Sequence, residues 1–586
     1  MTFRWMFLLV YAGAALAQTP KIGGDYSGML GPLHLKLHLK VAASGAAEGT
    51  LDSLDQGAIG LPCANFHLDG KALSFEVPSV GGKWHGTVSE DGAKLDGSWS
   101  QGQEMPLVFR RDEAFVPAEK PSRVDGVWLG TLDAGGAKLR VQLQVKSDRA
   151  GKEYCSFDSL DQGAMGLPCD NVLFQGDKFS FELTVANGRF SGTLSESGNE
   201  LDGTWTQGQG MPLRLTRQAT AIAAKAPEPP KYEEALARVP VGELKAVLDR
   251  DLAAALKDGA LAPATNGGMA IGVVQHGTRR IFAYGPVKED SIFEIGSISK
   301  TFTALMLAQM VVQHKVKLDE PVRELLPPGT VAKPEGAEIT LLDLATQQSG
   351  LPPMPDNFHP ADAQDPYADY RPPNLYEFIA KHGVSKPADA RFNYSNLGLG
   401  LLGQALANRA GVSYPELLKA LVTGPLGLSD TGVKLSPEQE KRFVQGHGPG
   451  HQPAHAWNLD ALAGAGAIRS TASDMLTYLE AQLHPDRMPP GTLGSALAMC
   501  HELHGDSFPG MKVGLAWLME TKTGNIWHNG ATGGYSSYAL FSPSEDFALV
   551  VLFNTTIDAS GSFADRLGEH TAERLSGKPA ISLGGN

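Results

Sequence analysis

The sequence predicts a multidomain chain: two small antiparallel all-β, barrel-like repeats, then a larger α/β domain in which an antiparallel sheet is flanked by helices and joined by a helical subdomain. Three observations predict it. DSLDQGAIGLPC from Asp52 returns as DSLDQGAMGLPC from Asp158, and the same offset carries Leu95-Asp96-Gly97-Ser98-Trp99 onto Leu201-Asp202-Gly203-Thr204-Trp205, so a domain is duplicated. Apolar and polar residues alternate from Leu33 to Val41 and again from Leu139 to Val145, the period of a strand with one buried face. From Val241 the pattern changes to mixed helix and strand, with strands near both ends and helices between them.

In chain order, residues 1–17 carry one arginine, an apolar run from Trp5 and small residues at Ala15 and Ala17, the pattern of a secretory signal removed on export. The run is short for a bilayer, no other stretch is long enough, and no cysteine follows it to take a lipid. The expectation is an exported protein, periplasmic or secreted, whose mature chain has no membrane span. Repeat one is assigned to 18–112 and repeat two to 122–218, each with Asp-Gly, Gly-Gly or Gly-Asn turns between short strands. Trp99 and Trp205 are expected to plug the two cores. The shared Asp-Gln-Gly-Ala stretch is read as a turn. A proline- and alanine-rich linker is assigned to 219–240 and the larger domain to 241–580, beginning with the helical VGELKAVLDRDLAAAL and ending with FADRLGEHTAERL.

The net charge of −14 argues against nucleic acid and anionic membrane as partners. Cys63, Cys155, Cys169 and Cys500 show no metal spacing and no framework of bridges. Cys155 and Cys169 can pair in an oxidising compartment, and the sequence leaves that pairing open.

EIGSISKTFTALMLAQMVV, from Glu294, sets Ser297 and Lys300 one helical turn apart at the start of a segment that is apolar on nearly every side from Phe302 to Val312. Residues three apart share a helix face, so the ammonium points where the hydroxyl points. Partial burial disfavours the charged amine and leaves a base beside the serine, the condition for a nucleophilic hydroxyl. Helix N-terminal N–H groups suit a developing oxyanion. A second element is Phe392-Asn393-Tyr394-Ser395-Asn396-Leu397, in which the phenol relays protons and the amide orients a substrate carbonyl.

The third element is a choice between Lys522-Thr523-Gly524 and His528-Asn529-Gly530. Lys522 falls where Thr-Gly-Asn makes a hairpin turn between two strands, which points it away from a cleft. His528-Asn529-Gly530 ends a strand and leads through Ala531-Thr532-Gly533-Gly534 into the next. The histidine is chosen. His447, His451 and His455 are four apart, but intervening glycines and prolines forbid the helix that would gather them, so no metal site is expected. Gly533-Gly534 is a tight turn and not a phosphate loop.

Ser297-Ile-Ser-Lys300, Tyr394-Ser-Asn396 and His528-Asn-Gly530, in that order over residues 241 to 575, resemble the serine β-lactamase and penicillin-binding protein family, nearest its class C side. ITLLDLATQQSGLP from Ile339, GPLGLSDTGV from Gly424 and GAGAIRSTASDML from Gly464 agree. The resemblance implies a β-lactamase-like fold and a serine hydrolase without a cofactor. In it Ser297 forms the acyl-enzyme, Lys300 and Tyr394 share base and acid work, and Asn396, His528 and Gly530 bind substrate. The N–H groups of Ser297 and Ala531 form the oxyanion hole. The implied partner is a small-molecule or peptide substrate, including peptidoglycan-derived ones, and the oligomeric state is open. Where the family's class C β-lactamases carry a lysine to grip a substrate carboxylate, this chain has His528, a weaker anion hook. Three readings follow: an exported hydrolase of β-lactams, D-amino-acid peptides or amides, or esters; a carboxylesterase on the same scaffold; and a non-catalytic binder of cell-wall material. The repeats resemble the small β-barrel modules attached to many secreted bacterial hydrolases, which assigns them no role.

Overall fold

A computed structural model describes residues 22–583, apart from short segments at 31–32, 42–46, 54–57, 102, 113–116, 135–136, 162–163, 184–187, 208, 223–230, 363, 389, 509 and 558–560. The expected signal at 1–17, the Asp55-Gln56-Gly57 stretch with its Gln162-Gly163 counterpart, and the centre of the 219–240 linker lie outside the described residues.

The first repeat is a closed barrel of eight strands in sequence order from Gly24–Leu30 to Gln103–Arg111, and the first strand pairs with the last through Tyr26 and Arg111. Closure removes the sheet edges that would otherwise stand unpaired. Alternation buries Leu35, Leu37 and Leu39 and packs Trp84 and Trp99 in the core, while Val41, at the end of its strand, is exposed. The second repeat is a nine-stranded sheet, because the counterpart of Ala58–Asp69 is divided into Ala164–Pro168 and Asp170–Gln175. In both copies an asparagine at this place, Asn65 or Asn171, takes a positive φ and breaks the register, and its side chain donates to Glu76 or Glu182. Trp205 is buried like Trp99. Gln142 departs from the expected alternation: it is buried, and it donates to Asp158 at 2.8 Å.

Beyond the linker an eight-stranded antiparallel sheet is completed by joining strands distant in sequence. Met269–Gln275 lies between Thr278–Tyr284 and Phe547–Phe553, and Ser536–Ser542, Ile526–Ala531 and Leu518–Glu520 follow in that order. Central strands are buried on both faces, so FALVVLF reads as a continuous apolar run and not as an alternation. Ile271, Val551 and Phe553 face the terminal helices Leu244–Asp251 and Phe563–Ser576, whereas Ala270, Val550 and Leu552 face the larger helical core. The terminal segments are clasped by Asp251, which accepts from His570 at 3.0 Å and Arg574 at 2.9 Å, all three side chains being buried.

In the helical core, Ser299–Val312 is buried through Met310, as its nearly uniform apolarity requires. Asn396–Ala410 packs beside it, capped by Ser395, whose hydroxyl accepts from the Gly398 N–H. Cys155 and Cys169 are bridged, and Cys500 is buried and unbridged. Among the described residues no helix is long and apolar enough to cross a membrane.

Candidate active site

Ser297 sits in a single turn, Gly296–Ile298, that leads from the strand Ile292–Glu294 into the buried helix. Gly296 takes φ 49°, and a side chain there would begin 2.6 Å from the Ala531 nitrogen. Across the gap, a Cβ on Gly530 would stand 2.2 Å from the Ile295 carbonyl oxygen and 2.8 Å from the Ser297 nitrogen. Both glycines are therefore demanded by backbone lying against backbone. This approach brings the N–H of Ser297 and the end of the strand Ile526–Ala531 to one point, the arrangement an oxyanion hole needs.

Lys300 is completely buried. Its Nζ lies 2.9 Å from Ser297 Oγ and donates to Asn396 Oδ1 at 2.7 Å and to the Ala465 carbonyl at 2.8 Å. The Tyr394 ring centroid is 4.7 Å from Nζ. Burial holds this amine well below the ordinary lysine range. A neutral amine has two N–H donors and one lone pair, so two carbonyl acceptors leave the lone pair for the serine hydroxyl. Tyr394 is pushed above the ordinary phenol range by burial, against which its hydrogen bond with Ser297 acts.

His528 lies on Ile526–Ala531 at 2% exposure, its ring 6.3 Å from that of Tyr394. Nδ1 is 2.6 Å from the Asn529 carbonyl oxygen, which fixes the hydrogen on Nδ1 and leaves Nε2 as an acceptor. Burial lowers its pKa to about 3. Lys522 is exposed in the hairpin turn between Leu518–Glu520 and Ile526–Ala531, where Gly524 takes φ 73° and Thr523 donates to Glu520 at 2.6 Å. His447 and His451 do not share a helix, and the described residues hold no cluster of metal-ligating side chains.

The cleft over Ser297 is also lined by Asn396, Tyr367, Trp457, Leu459 and Thr532. Sequence reasoning assigned no role to Tyr367, Trp457 or the buried Glu294 behind them. Glu294 was visible three residues before the serine, as an acid inside an otherwise apolar stretch; the two aromatics carry no local signal.

Residues 258–573 match the family model described as Beta-lactamase. The D-alanyl-D-alanine-carboxypeptidase/endopeptidase AmpH of Escherichia coli (strain K12) is 29% identical over 347 residues, covering 54% of this chain and 86% of that protein. A beta-lactamase of Pseudomonas fluorescens is 27% identical over 331 residues, covering 49% of this chain and 88% of that one. A solved class C beta-lactamase aligns with 60% of this chain and 100% of its own at 24% identity and a TM-score of 0.49.

Proposed function

The chain belongs to the beta-lactamase family and is a serine hydrolase, and from that premise we propose that it is exported and works through an acyl-enzyme on Ser297. The acyl donor is an ester, a D-amino-acid amide or peptide, or a β-lactam. One observation carries the reading: Lys300 Nζ, buried, meets two carbonyl acceptors and the Ser297 hydroxyl at 2.7 to 2.9 Å. As Oγ bonds to the substrate carbonyl carbon, its proton passes to Lys300, and the Ser297 and Ala531 N–H groups take the negative oxygen. Tyr394, in contact with both Lys300 and Ser297, carries the proton to the leaving group. Water reverses the sequence and frees the serine. Asn396, its carbonyl engaged by Lys300, keeps its NH₂ group for the substrate.

The uncharged His528 supports a preference within this class. A buried neutral imidazole offers a carboxylate no counter-charge, so donors without a free carboxylate are favoured. The test compares kcat/KM for p-nitrophenyl butyrate, nitrocefin, a D-Ala-D-Ala peptide and the C-terminal amide of that peptide. The expected order places the ester and the amide above the two carboxylates. Mass spectrometry after fluorophosphonate treatment is expected to find the adduct on Ser297; an unlabelled serine under every condition would turn the reading to a cell-wall binder.

A further inference from the structure

Behind the cleft lies a buried pair that the reaction described above does not use. Glu294, 3% exposed, faces Arg469 across the two-stranded ladder of Ile292–Glu294 and Arg469–Thr471, in register with it. Both side chains converge on the backbone of Trp457. Glu294 Oε1 accepts from the Trp457 N–H at 2.8 Å and from Arg469 Nη2 at 3.3 Å, and the same Nη2 donates to the Trp457 carbonyl at 3.0 Å. One peptide unit on each side of a single residue is thus held by a matched acid and base, away from water, where such bonds are strong and their loss is felt. The held residue is a wall of the catalytic cleft. Its indole packs 5.1 Å from the Tyr367 ring and so close to Gly533 that a Cβ there would stand 2.7 Å from Nε1. The cleft that Trp457 lines also holds Ser297, Asn396 and Thr532.

We infer that Glu294 is a positioning residue for substrate selectivity: with Arg469 it fixes Trp457 as the wall that limits the size of the acyl group carried on Ser297. The inference rests on the acyl-enzyme reading. The leaving group takes its proton from Tyr394, whose ring lies beside that of His528, and the acyl part takes the Trp457 side of the cleft. The carboxylate acts through reach: its Oε1 spans from the strand just before the nucleophile to the Trp457 N–H.

Reach and charge are separable. Glu294→Asp keeps the charge for Arg469 but draws the oxygen back by one methylene; Glu294→Gln keeps the reach and removes the charge. Initial rates are measured on p-nitrophenyl acetate, butyrate and octanoate, with fluorophosphonate labelling of Ser297 run on each protein. Glu294→Asp is expected to raise the octanoate-to-acetate ratio of kcat/KM by about tenfold, mainly through KM for the long chain, since room for one more substrate methylene in a fitted pocket is commonly worth about that much. Glu294→Gln is expected to stay near the parent ratio, and Trp457→Ala, whose side chain is only partly buried, to give the largest rise. Labelled proteins in which Glu294→Asp keeps the parent ratio, or in which Glu294→Gln changes it more than Glu294→Asp, overturn the inference while leaving the acyl-enzyme intact. A parent protein whose Ser297 takes no label would instead remove the reading beneath it. If Glu294→Asp does not fold, Trp457→Ala decides: an unchanged ratio there also overturns the inference.

Discussion

Lys300 and Lys522 belong to the same domain, and each stands in a short motif that sequence inspection flags as chemical. Lys300 starts a helix sealed on all sides and meets three oxygens within 2.9 Å. Lys522 stands in water on a hairpin turn. The difference teaches that burial and partners set what a side chain can do, and that neither can be read from residue type. Burial without a counter-charge disfavours the charged form of an amine, and it holds Lys300 well below the ordinary lysine range.

The sharpest way to break this contrast is to remove the buried groups. Ser297→Ala and Lys300→Met are each expected to lower kcat by on the order of 10⁴-fold, because nucleophile and base act as a unit. A Lys300→Met protein within tenfold of the parent would end the contrast. Its pH dependence sharpens the same point. In the proposed mechanism the neutral amine is the working form, so with its pKa held well below the ordinary value, kcat/KM is expected to level off at a pH below the ordinary lysine range and to fall as the amine gains its proton. A rate still climbing steeply toward the ordinary lysine range would mean a charged, solvated Lys300.

Cysteines allow a parallel test on stability. Cys169 and Cys63 occupy matched places in the two repeats, yet Cys169 is bridged to Cys155 whereas Cys63 pairs across its ladder with Gly49. A side chain on Gly49 would begin 2.4 Å from the His38 carbonyl oxygen, so the first barrel has no room for the second cysteine. Replacing Cys155 and Cys169 by alanine should lower the stability of the second repeat by about 3 kcal/mol, the value for a loop of roughly this length, without changing turnover. Denaturant melts beside ester hydrolysis measure both. The smallest effect is expected from Lys522→Ala, with kcat/KM within about twofold of the parent, as for an exposed residue away from the chemistry. A large loss would put Lys522, and not His528, in the cleft.

The duplication was legible because DSLDQG repeats nearly letter for letter, and the buried helix because its apolarity has no period. Ser297 and Lys300 were legible as a pair because one helical turn brings them together whatever the rest of the chain does. His528 was separated from Lys522 by turn chemistry, but its meeting with Tyr394, Asn396 and Lys300 came from the ordered motifs: nothing local says that a residue 96 positions beyond Lys300 will touch it. The same distance hid Glu294, Arg469 and Trp457, whose contacts span 163 and 175 positions. Burial of Gln142 broke the strand alternation because a polar group on the opposite strand, Asp158, receives it. Fixed contacts between distant segments leave no trace in a window of ten residues.

The pairing of Met269–Gln275 with Phe547–Phe553 has a consequence for how the molecule comes into being. A ribosome releases Ser297 and Lys300 more than two hundred residues before it releases the strand that closes the sheet beneath them. Until then Met269–Gln275 has only Thr278–Tyr284 beside it, and the sheet stands in two parts. The strand Phe547–Phe553 joins those two parts, so a chain stopped short of Phe547 is expected to give no turnover.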